Sequence, residues 1–177
     1  SVVNDDGWFM SVVSDLSCVK WTDGGFIADR DSEDVSKPMP VSIYECSLYD
    51  YASDMDKENP TYQEIGSAIA EHAETFGYTH VELKPVAEYE NEASLGYETV
   101  AYYAPTSRYG TPADFAAMID ILHKKGLRVI LDWTLAHPSS SNYALRKVDG
   151  TGCYEHEDPR QGIQPQWGTL NDRSEEH

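Results

Sequence analysis

Val129, Ile130 and Leu131 form a short uninterrupted apolar run, with Gly126 before it and Pro138 soon after. A run that short between breakers predicts a strand buried on both faces, the kind found in parallel sheets covered by helices. Asp132 then falls at the carboxyl end of the strand, and His137 follows past it. Open α/β sheets and α/β barrels bind their ligands at that end of the strands. An Asp and a His delivered there are candidates for a polar site. A turn-capping Asp132 and a plain loop His137 are the other reading of the same residues.

The chain upstream repeats the theme. Val41 to Cys46 alternates with β-branched and aromatic residues and predicts a first strand. Residues 51–59 read as a polar loop. Thr61 and Glu64 then have capping-box spacing. Tyr62, Ile65, Ile69, Ala73 and Phe76 recur at helical spacing, and Gly77 suits a left-handed cap. A helix over 62–76 follows. Residues 78–83 predict the second strand, ended by Pro85. Residues 86–110 read as one long loop, whose Tyr97, Tyr102, Tyr103 and Tyr109 argue against disorder. Thr111, Pro112 and Asp114 start a second helix, which runs to Lys125 with Phe115, Met118, Ile119 and Leu122 as its buried stripe. The order β-α-β-α-β predicts an α/β fold with parallel strands.

Residues 1–40 are weakly patterned and read as a connector. They offer a possible strand at 8–13, a turn at 23–25 and a polar stretch at 29–37. Residues 41–177 read as the domain proper, and 138–177 bring no further strong element. Three βα steps do not close a barrel, which takes roughly 250 residues.

Net charge matters for the partner. At −18 the chain repels nucleic acid phosphates and anionic membranes. It is compatible with a neutral, hydroxyl-rich ligand such as a sugar, although a solubilising surface has the same charge. Cys18, Cys46 and Cys153 are scattered, with neither disulfide nor zinc-ligand spacing, so a reducing, cytoplasmic setting is expected and no metal is. No apolar run approaches the roughly 20 residues of a membrane span.

A family resemblance rests on long stretches in order. They include Lys37-Pro38-Met39, Ser42-Ile43-Tyr44-Glu45, Gly77-Tyr78-Thr79-His80-Val81-Glu82-Leu83 and Gly96-Tyr97. They continue through Tyr103 to Pro112, Val129 to Trp133 with His137, Tyr154-Glu155-His156, Asp158-Pro159-Arg160 and Trp167-Gly168-Thr169-Leu170. Through these the chain resembles the 1,4-α-glucan branching enzymes of the α-amylase superfamily. The resemblance implies a partial (β/α)8 TIM barrel, about the first three βα units, belonging to a larger enzyme that cleaves α-1,4 links and rejoins the piece as an α-1,6 branch. It implies an α-glucan partner (glycogen or amylose) and no cofactor. An incomplete barrel is expected to self-associate.

The catalytic carboxylates of such enzymes follow strands four, five and seven, which the resemblance places beyond His177. No catalytic residue is therefore expected here, only substrate contacts. Tyr97 matches a tyrosine that stacks on the glucose next to the cleaved bond, and His137 a histidine that hydrogen-bonds that sugar. Asp132 matches an aspartate that orients site groups. Tyr89 and Glu90 depart from the family pattern, as do Leu95 in place of Trp and Glu98 in place of Gln. A debranching-type glycosidase of the same superfamily and a non-catalytic glucan-binding piece are the competing readings.

Overall fold

The computed structural model describes residues 2–3, 9–10, 12–34, 36–135, 139, 163–164 and 168–169. Its strands are β1 (Val2–Val3), β2 (Phe9–Met10), β3 (Ile43–Cys46), β4 (His80–Leu83), β5 (Ala87–Tyr89), β6 (Thr99–Pro105), β7 (Arg128–Leu131), β8 (Ile163–Gln164) and β9 (Gly168–Thr169). Its α-helices are α1 (Gly24–Asp31), α2 (Leu48–Asp54), α3 (Tyr62–Phe76) and α4 (Pro112–Lys124). The chain divides into two compact units. One comprises 1–12, 85–106 and 133–177; the other comprises 13–84 and 107–132.

The second unit holds the parallel sheet, in the order β3-β4-β7. Its register aligns Ile43, His80 and Arg128 at one end and Cys46, Leu83 and Leu131 at the other. With α3 between β3 and β4, and α4 preceding β7, this is the opening of a (β/α)8 barrel. The core lies on the helix side of the sheet. Val81 and Leu83 are fully buried, as are Tyr62, Ile65 and Ile69 of α3 and Met118 and Leu122 of α4. Each such aliphatic side chain contributes roughly 1.5–3 kcal/mol relative to remaining exposed.

Both helices begin where their caps dictate. Thr61 Oγ1 accepts from the Glu64 N–H at 3.4 Å, and the Glu64 carboxylate accepts from the Thr61 N–H at 2.9 Å. Thr111 and Asp114 make the same reciprocal pair at 3.2 and 2.8 Å. These bonds satisfy N–H groups that the helix itself cannot. Gly77 takes the left-handed conformation at φ 73°, and its N–H returns to the carbonyls of Ala73 and Glu74. The helices meet closely at Gly66, where a Cβ would lie 2.5 Å from Met118 Cγ. Gln63 Nε2 donates to Asp114 Oδ1 at 2.8 Å and ties α3 to the cap of α4.

Several expectations change. The turn at 23–25 is instead the start of α1, held by polar bonds to α4: Asp23 Oδ2 lies 2.6 Å from His123 Nδ1, and Phe26 stacks on His123 with ring centroids 4.2 Å apart. Thr22 donates to the Asp120 carboxylate, and Glu33 pairs with Arg128. The polar loop at 51–59 loses its first residues to α2, capped by the Ser47 side chain. Phe76 is 67% exposed rather than buried, because it closes the helix beside His72 rather than over the sheet. β7 was expected to be buried on both faces, yet none of its residues is fully buried and Leu131 is exposed. Among the described residues it has a ladder partner on one side only, β4.

The first unit contains three antiparallel pairs, β1-β2, β5-β6 and β8-β9. The β5-β6 pair replaces the continuous loop expected over 86–110. Three-residue β5 is too short, and its pairing too irregular, to leave a period in the sequence.

Candidate functional site

Tyr97 sits in the turn between β5 and β6, and that turn is extensively bonded. Asn91 caps a 3₁₀ turn over Glu92–Ser94, its Oδ1 accepting from the Ala93 N–H at 3.1 Å. Ser94 Oγ donates to the Asn91 carbonyl at 2.6 Å. Leu95 (φ 52°) and Gly96 (φ 94°) then both take positive φ and turn the chain back. The Tyr97 N–H donates to the Ser94 carbonyl at 3.0 Å. Glycine is required at 96, because a Cβ there would lie 2.5 Å from the Pro85 carbonyl oxygen. The result is a tyrosine on a braced turn with its side chain exposed. A phenol ring so presented offers an apolar face with a polar tip.

Glu98 has a local role. Asn91 Nδ2 donates to its Oε2 at 3.1 Å, closing the turn from one side to the other. Leu95, which stands where the resembling family has Trp, is exposed and carries the strained backbone of the turn.

Asp132 belongs to the other unit. It follows β7 directly, and its N–H donates to the Leu83 carbonyl at 2.9 Å. Likewise the Lys84 N–H donates to the Cys46 carbonyl at 2.9 Å. Backbone pairing thus extends one residue past each strand, which fixes Asp132 at the carboxyl end of the sheet, half-buried. Strand alternation puts it on the face of Arg128 and Ile130. Neighbouring β3 and β4 present Glu45 and Glu82 as a matched pair in the register, and Lys84 Nζ lies 3.6 Å from Glu45 Oε1. The carboxyl end of this sheet is therefore charged and polar, as a ligand-binding rim is. His137 lies outside the described residues. Tyr97 and Asp132 are thus each defined in their own unit.

Other reactive groups are muted. Burial, reinforced by Asp50 and Glu45, pushes the Cys46 thiol up to about 12, so it is no nucleophile at neutral pH. Burial and the nearby Arg128 hold His80 below its usual value, and its Nδ1 lies 2.7 Å from Thr79 Oγ1. No group of three or more His, Cys, Asp or Glu able to hold a metal occurs among the described residues. None of the described helices is long and apolar enough to cross a membrane.

One group escaped the sequence reading. Glu88 and Thr106 are each 1% exposed, and Thr106 Oγ1 donates to Glu88 Oε1 at 3.0 Å. A glutamate in a short apolar stretch, Val86-Ala87-Glu88-Tyr89, was the available signal.

The profile of the family described as alpha amylase, catalytic domain, matches residues 70–169. The chain is 44% identical over 162 residues to the 1,4-alpha-glucan branching enzyme GlgB of Nitratidesulfovibrio vulgaris, covering 90% of this chain and 25% of that protein. It is 42% identical to the GlgB of Myxococcus xanthus, again over 90% of this chain but 22% of the relative. The fold is similar to a crystal structure assigned provisionally as an alpha amylase from Salmonella typhimurium. The TM-score is 0.66 at 26% identity, covering 90% of this chain and 24% of the other. The chain thus spans about a quarter of the length of the relatives it matches.

Proposed function

The chain belongs to the alpha-amylase catalytic-domain family, and from that premise we propose that it is the opening barrel segment of a 1,4-alpha-glucan branching enzyme. The observation that carries the proposal is the 44% identity over 162 residues to a protein of that name. The parallel β3-β4-β7 sheet supports it, since it supplies the first three strands on which such an enzyme is built.

On this reading the segment binds and orients glucan, while the chemistry is done by carboxylates on later strands. A retaining mechanism needs a nucleophile and an acid about 5–5.5 Å apart across the scissile bond. Tyr97 offers its ring to the apolar face of the glucose beside that bond. His137 donates or accepts at a sugar hydroxyl. Asp132, at the end of β7, holds a cationic side chain of the following strand in bidentate geometry. A neutral glucan suits an acidic protein, since it meets no charge repulsion. A cytoplasmic setting and self-association through the sheet edges belong to the same proposal. The first is supported by a buried free Cys46, the second by exposed Ile43 and Leu131 on the edge strands β3 and β7.

The test is a chimera in which this chain replaces the matching segment of the Nitratidesulfovibrio vulgaris protein. Amylose–iodine absorbance and α-1,6 end counts then report branching. A folded chimera that shortens amylose without new α-1,6 links would favour a hydrolase of the same family instead.

A further inference from the structure

The β5-β6 hairpin that presents Tyr97 has a poor backbone ladder. Ala87 faces Pro105, Glu88 faces Ala101 and Tyr89 faces Thr99. One step along β5 thus matches four along β6, from Pro105 to Ala101, and the next matches two, from Ala101 to Thr99. Bulges of this kind disrupt the ladder, and hydrogen bonding between the strands then specifies register weakly.

Side chains supply what the ladder lacks. The Thr106 N–H donates to the Val86 carbonyl at 2.9 Å, and its hydroxyl reaches Glu88 Oε1 at 3.0 Å. One residue after β6 therefore grips two alternate positions of the opposite arm. Both Glu88 and Thr106 are withdrawn from water. Losing a buried hydrogen bond to a carboxyl group is costly, so a register that parts these two is disfavoured.

The path from this pair to Tyr97 is short. Tyr89, next to Glu88, pairs with Thr99. Thr99 Oγ1 donates to the Gly96 carbonyl at 3.4 Å, and the Thr99 carbonyl accepts from the Ser139 N–H at 3.0 Å. A Cβ on Gly96 would lie 2.5 Å from the Pro85 carbonyl oxygen, so only glycine fits there. A slip of β6 on β5 would pull Thr99, and with it Gly96 and Tyr97, away from these partners.

We propose that Glu88 and Thr106 are positioning residues, a buried register lock that holds Tyr97 in place for its glucan contact. The glucan clause rests on the function proposed above; the lock itself does not. The test uses the chain as it stands, with amide hydrogen exchange read at the Tyr97 N–H. Thr106→Val keeps shape but removes the donor, and Thr106→Ser keeps the donor. The lock predicts that Thr106→Val lowers protection at Tyr97 by about tenfold or more, with α3 amides little changed, because opening is local. Thr106→Ser should restore protection to within about twofold of the parent, since its hydroxyl can again donate to Glu88 Oε1. Unchanged protection at Tyr97 in Thr106→Val, equal loss across Tyr97 and α3, or equal loss in both variants would each overturn the lock. Tyr97→Ala in the chimera is read separately: normal branching there removes the glucan role of Tyr97 and leaves the exchange result untouched.

Discussion

The backbone N–H of Asp132 donates to the carbonyl of Leu83 at 2.9 Å, one residue beyond the last paired position of β4 and β7. That bond holds a carboxylate at the rim of a parallel sheet, where the strands of α/β folds deliver their ligand contacts. In the chimera, Asp132→Asn keeps the backbone bond and side-chain shape but removes the charge that would orient a cation. The expected outcome is a fall in branching rate of roughly tenfold to a hundredfold, equivalent to about 1–3 kcal/mol. An unaffected rate would mean that Asp132 caps the strand and nothing more.

Gly96 is the position where the Tyr97 turn is least forgiving. Alanine there meets both a positive φ of 94° and the Pro85 carbonyl at 2.5 Å. Holding such a residue in place costs on the order of 1–3 kcal/mol. Gly96→Ala should therefore release the turn and lower branching by the chimera about as much as Tyr97→Ala does. Gly77→Ala, where a Cβ meets nothing within 4 Å, should leave activity intact and lower only stability. Kinetics and thermal unfolding of the pair would show whether that separation holds.

Gly66 tests the packing of α3 on α4. A Cβ there would come within 2.5 Å of Met118 Cγ and 3.4 Å of Met118 Cα. Gly66→Ala should cost about 1–3 kcal/mol through overpacking, despite alanine's better helix propensity. A urea midpoint equal to or above the parent's would show that α4 can shift without penalty.

Acid should loosen the helix starts. Lys57, with Thr61, holds the Glu64 carboxyl down from 4.5 to about 2. Thr111, assisted by Gln63, likewise holds Asp114 below its usual value. Both pKa values are lower in the folded state. Their stabilisation is therefore present above the unfolded carboxylate values and lost as pH falls toward the folded ones. For Glu64 that window runs from 4.5 to about 2. Glu64→Gln should flatten the fall in thermal stability across it. A mutant whose acid limb matches the parent's would show that this capping box contributes nothing measurable.

These caps also show what was readable in the sequence. Thr61, Glu64 and Gly77 mark α3 in full, because a box and a left-handed glycine are local signals. α4 was legible from Thr111, Pro112 and Asp114 for the same reason. α1 was not: two glycines open it, and Asp23 makes no side-chain cap, its carboxylate facing His123 instead. Only the folded chain reveals that partner. The β5-β6 hairpin was hidden because its register depends on a buried contact between Glu88 and Thr106, far apart in sequence. Tyr97 carries no periodic signal, and only resemblance singled it out, whereas Asp132 was also marked by its place after the apolar run Val129–Leu131. What the fold adds is the turn that braces the one and the strand end that holds the other.

The edges of the sheet predict association. β3 and β7 each have one ladder partner among the described residues, and they expose Ile43 and Leu131. Such edges recruit other strands. Sedimentation of the chain should show a weight-average mass that rises with concentration, and Ile43→Lys should reduce it. A monomer at all concentrations would place the edges under some other cover.

The role proposed for this chain is to supply the opening, glucan-binding strands of a branching enzyme. Its most direct measurement is α-1,6 branch formation on amylose by the chimera, with the isolated chain and the Tyr97→Ala and His137→Ala chimeras alongside. Branching by the chimera, none by the chain alone, and a loss of roughly tenfold or more in each variant are expected. A folded chimera without branching, branching by the chain alone, or near-normal branching in both variants would contradict that role.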